Sequence, residues 1–498
     1  MKISNKYILS LLAGFAGLVS FTSCSNDNSE PMPGKELDNV NLQFTLGVPA
    51  STRAASDPGD EARIKAANVY FCKVTDSDPL GASNVVYTLT NIQDIEYGEA
   101  DANGIVSATL TMSVKAREFA AILAGNKLRM YVVANTSKGI INNMAEELLS
   151  FGSLSTDGLG NYGTDNLYLP MSNNKESGIM DFSGKSIQDI LKALNKDNSY
   201  YNLSTDANAG QIVLERAVAR IDYMDGSESQ VDHVYPLGST GLYIKINYMM
   251  PVNVATKEYL FPHTAAGNAT AATGNTTLFG NGTWIADYDW NTKKTATGAA
   301  PAGTFFNQPS GSGDNTVLPS GWTTLYDKKN MKEYTPMFYI SENTLPSTAK
   351  MIEGLSTGIV FETALCDVNG SDLNEAQLMA ADAPWKNQVS ISKEASGDLV
   401  LKYKGVSTVA KLHEQHFDIN YYYWIRHNDV SNSLEITDQM EFGVVRNTIY
   451  KLKVTKFGGL PRPYDPSAPD EEKPLDPEEI IVEIAVIPWG YFPIDVTI

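Results

Sequence analysis

Apolar and polar residues alternate near both ends of the chain. Near the beginning, the alternation runs without a break through Val40, Leu42, Phe44, Leu46 and Val48. Near the end, one alternation comprises Ile480, Val482, Ile484 and Val486, and after Trp489 a second comprises Phe492, Ile494, Val496 and Ile498. A period of two gives a β-strand one apolar face. Both ends are therefore predicted to be strands that need a sheet to cover them.

Between these ends, short apolar runs separated by turn residues predict many strands and few helices. The clearest strand patterns lie at 67–74, 105–114, 128–134, 211–223, 241–249, 337–341, 358–364, 399–403, 421–426 and 448–455. One helix is predicted at 115–124, before Gly125, and another after Ser186, which is a candidate N-cap with Asp189 three residues on. The pattern predicts a mostly β protein built from β-sandwich domains.

The polar segment DGSESQVD interrupts the apolar pattern and predicts a boundary near residue 225, between domains at 54–225 and 226–457. Residues 263–321 are rich in Gly, Ala, Thr and Asn, so we expect a surface insertion. Its aromatic residues either pin the insertion to the domain, which we favour, or form a sugar-stacking platform; they are Trp284, Tyr288, Trp290, Phe305 and Phe306. The Pro-rich, acidic segment 458–479 is predicted to be an extended linker able to span on the order of 70 Å.

The amino terminus has the order of a secretory signal. Lys2 and Lys6 precede an uncharged apolar stretch at 8–21, and small residues then lead to Cys24. A cysteine at this place resembles the lipobox of bacterial lipoproteins, so we expect a signal peptide at 1–23 and a lipid on Cys24. An ordinary signal peptide with an incidental cysteine is the alternative. Residues 24–53 would then comprise a lipidated spacer followed by the first strand.

The composition narrows the classes of partner. The net charge is −20, which argues against a nucleic-acid partner, and 43% of the residues are hydrophobic, enough for buried cores. Beyond Cys24 there are two cysteines, Cys72 and Cys366, both in apolar contexts. We therefore expect buried thiols rather than a disulfide.

Motifs for catalysis or cofactor binding are weak in this sequence. His413 and His416 are three residues apart, whereas the zincin HExxH motif needs histidines four apart on a helix, so a solvated or structural pair is favoured. The acidic loop that begins at Asp367 lacks the glutamate that an EF-hand has at its twelfth position, and Leu378 stands there. No GxSxG follows a predicted strand and precedes a predicted helix, and no phosphate-binding glycine loop is present. We expect no enzyme activity, no cofactor and no metal.

Several segments together resemble the fimbrillins of Bacteroidetes type V pili, most closely the Mfa-like shaft subunits of minor fimbriae. They are the lipoprotein start at Cys24, LRMYVVANTS (128–137), LYLPMS (167–172), VLERAVARIDY (213–223), YYYWIRHND (421–429), FGVVRNTIYKLKV (442–454) and IPWGYFPIDV (487–496). The resemblance implies two transthyretin-like β-sandwich domains with a carboxy-terminal donor-strand tail. The subunit would be exported by the lipoprotein machinery to the cell outer membrane, where its lipid holds it.

The resemblance further implies assembly by strand exchange. An arginine-specific protease would cut between Arg53 and Ala54 and release the first strand. The tail at 480–498 of an identical or related subunit would then fill the groove, giving a head-to-tail surface fimbrium that supports adhesion to a host or bacterial receptor. Within the tail, the donor residues are expected to be Ile480, Val482, Ile484, Val486, Trp489, Phe492, Ile494, Val496 and Ile498. A fimbrial tip or anchor subunit and a surface glycan-binding lipoprotein are the alternatives.

Overall fold

The computed structural model describes residues 38–49, 61, 63–92, 94–101, 105–150, 153–155, 168–195, 200–268, 270–295, 306–307, 323–325, 328–413, 416–427, 436, 439–462 and 479–488. No helix among these residues is long and apolar enough to cross a membrane.

Strands dominate the described part of the chain, which confirms the prediction of a mostly β protein. In the first half, the strands are β1 (Asn39–Pro49), β2 (Ala67–Lys73), β3 (Val85–Ile92), β4 (Ile95–Ala100), β5 (Ile105–Lys115), β6 (Lys127–Ala134), β7 (Leu148–Ser150), β8 (Ser153–Ser155), β9 (Met171–Asn173), β10 (Met180–Asp181), β11 (Tyr201–Asn202), β12 (Ile212–Arg216) and β13 (Ala219–Asp225). The helices of this half are α1 (Ala116–Leu123) and α2 (Ile187–Leu194).

The second half continues in the same way. Its strands are β14 (Val234–Pro236), β15 (Tyr243–Val252), β16 (Val254–Ala255), β17 (Lys257–Tyr259), β18 (His263–Ala265), β19 (Thr277–Leu278), β20 (Trp284–Ile285), β21 (Phe306–Asn307), β22 (Thr323–Thr324), β23 (Thr335–Ile340), β24 (Gly358–Cys366), β25 (Ser390–Lys393), β26 (Leu399–Tyr403), β27 (Val406–His413), β28 (His416–Trp424), β29 (Thr448–Phe457) and β30 (Ile480–Pro488). Its helices are α3 (Trp290–Thr295) and α4 (Glu375–Leu378).

The first large sheet has the strand order β3, β2, β6, β9, β12, β1, β5, β4, with β10 beside β6 and β11 beside β1. Side chains from β1 and β5 share one hydrophobic core with side chains from β2 and β6. Helices α1 and α2 also bury their apolar faces in this core, and Phe119 of α1 packs edge-on against Phe71 of β2. The predicted capping box of α2 is present, because Ser186 accepts from the Asp189 backbone and Asp189 from that of Ser186.

The second core lies between two sheets. A five-stranded sheet has the order β30, β29, β13, β23, β8, and an eight-stranded sheet the order β14, β15, β24, β28, β27, β26, β25, with β22 beside β15. Inward residues of both sheets, such as Tyr450 of β29 and Tyr421 of β28, belong to the same apolar cluster. This is the packing of a β-sandwich.

The packing bears on the domain boundary expected near residue 225. Leu214 of β12 lies in the first core, whereas Ala219, Ile221 and Tyr223 of β13 lie in the second. Strand β13 was expected to belong to the amino-terminal domain. It instead pairs with β23 and β29, so the change of core occurs near Val218.

In the described first part of the predicted insertion (263–268 and 270–295), the buried residues pack into an apolar cluster, while many of the others are exposed. Trp284 and Trp290 are fully buried and meet edge to face at 5.9 Å. The glycines in this segment permit close packing: a Cβ on Gly282 would come within 2.2 Å of the Ala265 carbonyl oxygen. Its glycine-rich composition therefore reflects tight backbone contacts.

Candidate assembly interface

Strand β1 lies in the middle of the first sheet. All 11 of its residues pair antiparallel with β5, from Asn39 opposite Lys115 to Pro49 opposite Ile105. Its other edge pairs parallel with β11 and β12. Removing β1 would therefore leave unpaired backbone groups on both sides of the gap, which is costly unless another strand takes its place.

The apolar face of β1 is buried along its whole length. Its five alternating apolar residues are each at most 4% exposed; they are Val40, Leu42, Phe44, Leu46 and Val48. At roughly 1.5 to 3 kcal/mol for each side chain, their burial contributes about 7 to 15 kcal/mol before ordering costs. The residues between them, such as Asn41, Gln43 and Thr45, lie on the more exposed face. The period-two pattern thus gave the buried face of this strand correctly.

Glu61, the next described residue after β1, is held by several contacts. Its carboxylate accepts a 2.7 Å hydrogen bond from Arg220 Nη1 and another from the Tyr339 hydroxyl. Its carbonyl oxygen accepts from Arg216 Nε at 2.9 Å. Arg216 is fully buried, and burial lowers its pKa to about 10 despite the opposing effect of Glu61. These contacts hold Glu61 against the segment that joins the two cores, which contains Arg216 and Arg220.

The predicted processing residues lie outside the described residues. Cys24 precedes the first described residue, and Arg53 and Ala54 fall between Pro49 and Glu61. Their lipidation and cleavage stay predictions. Arg53 is four residues beyond the end of β1 and eight before Glu61 in the sequence.

The described half of the tail forms β30, an edge strand. It pairs antiparallel with β29, from Thr448 opposite Pro488 to Phe457 opposite Ile480. Ile480 is buried, and Val482, Ile484 and Val486 are partly buried against the second core, whereas Ile481 is 44% exposed. The remaining predicted donor residues lie outside the described residues; they are Trp489, Phe492, Ile494, Val496 and Ile498.

The two ends of the predicted linker meet. The backbone N–H of Gly458 donates to the carbonyl oxygen of Glu479 at 2.9 Å, so 458–479 joins β29 and β30 as a long hairpin connection. In this structure strand pairing brings the two ends of the segment together, and its capacity to span a longer distance stays a prediction. Residues 463–478 themselves lie outside the described residues.

A buried ionic cluster joins the two halves of the chain around Arg446, which is 4% exposed. Its guanidinium pairs with Glu342 at 3.2 Å and donates to the carbonyl oxygen of Tyr259 at 2.6 Å. Glu215 of β12 approaches it to 4.0 Å. Burial raises the pKa of Glu215 to about 7 and that of Glu258 to about 8, although Arg446 lowers both.

Sequence reasoning missed this cluster, although a signal for it was present. Glu215 and Arg446 are charged residues inside two apolar strand motifs, VLERAVARIDY and FGVVRNTIYKLKV. Charged residues in such contexts are rarely buried unless they are paired. The sequence does not show which charged residues pair, because about 230 positions separate Glu215 from Arg446.

The remaining candidate residues are structural. Trp284 donates from Nε1 to the Asn268 carbonyl oxygen at 2.8 Å, and its burial with Trp290 favours the pinning interpretation over sugar stacking. Cys72 and Cys366 are buried free thiols, as predicted. Asp367 accepts backbone hydrogen bonds from Asn369 and Ser371 at 2.8 and 3.0 Å, which forms the expected acidic turn.

Three solved structures show weak likeness to the chain. A candidate cell adhesion protein from Parabacteroides distasonis is 15% identical with a TM-score of 0.39, over 91% of this chain and 99% of that one. A fimbrilin from Porphyromonas gingivalis is 14% identical with a TM-score of 0.38, over 90% and 98%. The tip fimbrial protein Mfa3 from Porphyromonas gingivalis, with a carboxy-terminal truncation, is 11% identical with a TM-score of 0.35, over 90% and 100%. TM-scores below 0.5 do not establish a common fold.

No curated protein matches the chain. The family model described as "Major fimbrial subunit protein type IV, Fimbrillin, C-terminal" matches residues 418–492. The matched segment contains most of β28, the whole of β29 and β30, and the connection between these last two strands. It therefore includes the second core's edge hairpin and the start of the predicted donor. By this carboxy-terminal segment the chain is similar to the fimbrillins, and the similarity supports a role as a subunit of a cell-surface fimbria.

Proposed function

We propose that the chain is a structural shaft subunit of a fimbria that polymerises by exchanging strands between subunits. The observation that carries this proposal is the place of β1: a strand near the amino terminus lies in the centre of a sheet, with both edges paired and one face buried. The family match over the tail agrees with it. The chain is exported as a lipoprotein, and the lipid on Cys24 holds it at the outer membrane surface until the cut after Arg53 separates Cys24 from the rest of the chain.

Cleavage after Arg53 is the step that opens the groove. An arginine-specific protease cuts between β1 and the anchored Glu61, so β1 is then held only by non-covalent contacts. Glu61 keeps its bonds to Arg220 and Arg216, and the new amino terminus at Ala54 stays with the body of the subunit. The cut therefore separates the removable strand β1 from the chain that Glu61 holds in place.

The tail of a neighbouring subunit fills the opened groove. As an edge strand, β30 pairs with β29 alone among the described strands, and apart from the buried Ile480 its inward apolar residues are only partly buried. In the centre of the first sheet, a donor strand would pair on both edges and bury its whole apolar face, as β1 does. The difference favours transfer of the tail from its own edge position to the neighbour's groove.

The alternatives gain less support. A surface glycan-binding lipoprotein would use Trp284 and Trp290, and both are in the interior. A tip subunit is expected to lack a donor tail, and an anchor subunit to keep its lipid; this chain has an arginine after its first strand and a tail with alternating apolar residues. Adhesion to a host or bacterial receptor would be a property of the assembled filament.

A peptide-capture experiment tests the proposal. The purified chain is cut with an arginine-specific protease, β1 is removed under mild denaturant, and a fluorescent peptide of residues 480–498 is added. We expect the peptide to bind the cut chain and not the uncut chain, and binding to be lost when Ile494 and Val496 are replaced by Asp. Equal binding to the uncut chain, or none to a cut chain that has lost β1, contradicts strand exchange. Peptides of 480–488 and 489–498 determine which half of the donor is required.

A further inference from the structure

Three polar side chains converge at the closed end of the β27–β28 hairpin. His413 lies directly opposite His416, and Asp418 follows two residues later on the same strand. Directly opposed and alternate residues share a face of a sheet. Phe417 and Ile419, the neighbours of Asp418 on β28, point into the second core. The two histidines and Asp418 therefore lie together on the sheet face away from that core.

The side-chain atoms are close enough for one ion. His413 Nδ1 lies 3.1 Å from Asp418 Oδ2, and His416 Nε2 lies 3.0 Å from Asp418 Oδ1. One ligand atom from each residue falls within 4.8 Å of the others. Two nitrogen or oxygen ligands at about 2.0 Å from a tetrahedral zinc ion are roughly 3.3 Å apart. Small rotations of the imidazoles would bring the three atoms to that spacing.

Glu362 adds a fourth group and an independent observation. On β24, Ala364 is opposite Asp418 and Glu362 is opposite Asn420, so Glu362 lies diagonal to Asp418 on the same face. Its side chain is 9% exposed, and its Oε1 is enclosed without a hydrogen-bond partner among the described residues. A buried carboxylate beside another carboxylate needs a compensating cation or a proton.

We propose that His413, His416, Asp418 and Glu362 form a zinc-binding site. Two imidazoles with carboxylate oxygens suit zinc, whereas magnesium and calcium prefer sites made of oxygen alone. Zinc would tie the β27–β28 hairpin to β24 and compensate the two carboxylates. The site is structural: it links three strands of one sheet and does not depend on strand exchange.

His413 and His416 are three residues apart, which does not fit the four-residue spacing of the zincin helix, but in a β-hairpin this spacing brings the two side chains together. The register of β27 and β28 places His413 and His416 opposite each other. The ligands thus come from strand register. No protease motif is implied.

Isothermal titration of the untagged, purified full-length chain with zinc chloride at pH 7.4 tests the site. We expect one saturable zinc per chain, with no competition from millimolar magnesium or calcium. His416→Gln and Glu362→Gln should each weaken binding by at least about tenfold. Asp372→Asn is the matched control. Asp372 pairs with Lys245 and contributes to the electrostatic environment of His416, but it is not a proposed ligand, so its loss should change affinity less than twofold.

A spectroscopic readout makes the test independent of folding. Cobalt substituted for zinc should give the intense visible absorption of a tetrahedral ion, absent from the His416→Gln protein at equal helix and strand content. Absence of saturable binding, binding unchanged in both ligand variants, or an Asp372→Asn effect as large as theirs would overturn the proposal. In that case, the only role of the two histidines is to form hydrogen bonds with Asp418.

Discussion

Phe44 offers a substitution whose effect should depend on maturation. It is 1% exposed in the centre of β1, among the side chains of the first core. Truncation of a buried Phe to Ala costs about 3 to 5 kcal/mol from lost burial and the cavity left behind. In the uncut chain, Phe44→Ala should therefore lower the urea midpoint of the first core's unfolding by roughly 1 M or more. In filaments, from which we expect β1 to be absent, the same substitution should have no effect.

Phe119→Ala is the matched control. Phe119 is fully buried in the same core, but it lies on α1, which the cut does not remove. It should destabilise the uncut chain and the filament subunit alike. Urea unfolding followed by circular dichroism on monomers, and urea dissociation followed by light scattering on filaments, measure the two effects. If Phe44→Ala weakens filaments as much as Phe119→Ala does, then β1 remains in the mature subunit and the reasoning is refuted.

Further outcomes follow from the same structure. Arg53→Ala should leave uncut monomers on the cell surface while Arg63→Ala is processed normally, and amino-terminal sequencing that still finds Ala54 in Arg53→Ala filaments would refute the cut site. Deletion of 489–498 should abolish polymerisation without lowering the melting temperature of the uncut monomer, because β30 is intact; filaments seen by electron microscopy would contradict this. Burial raises the pKa of Glu258 to about 8, so between about pH 4.5 and pH 8 the folded state keeps a proton that the unfolded state has released. The free energy of unfolding therefore falls as the pH rises through this range. Glu258→Gln removes this loss, and its melting temperature relative to the unsubstituted protein should rise from pH 5 to pH 8; an unchanged difference would mean that Glu258 titrates normally.

Local patterns in the sequence predicted many of the strands and helices. The alternation of Val40 to Val48 gave a strand with one buried face, and Ser186 with Asp189 gave a helix start, because both signals depend on neighbouring residues alone. The positions of the strands in the sheets did not follow from them. That β13 joins the second core and β1 lies between β5 and β12 depends on pairings between distant residues.

The candidate interface was predicted in part. The removable strand and the tail were both expected as strands, but the pairing of β30 with β29 was outside what periodicity can show. The cluster around Arg446 was missed because its partners are far apart in sequence. Composition alone left two interpretations of the aromatic residues in the insertion, because it does not show which side chains are buried; the burial of Trp284 and Trp290 favours the pinning interpretation.

The central claim is that a neighbour's tail replaces β1 after cleavage. Cryo-electron microscopy of native filaments, at a resolution that assigns side chains, tests it most directly. We expect a strand between β5 and β12 that carries the side chains of residues from 480–498 of the adjacent subunit, in a subunit that begins at Ala54. Side chains of Val40 to Val48 in that position, continuous with the same subunit, would contradict it.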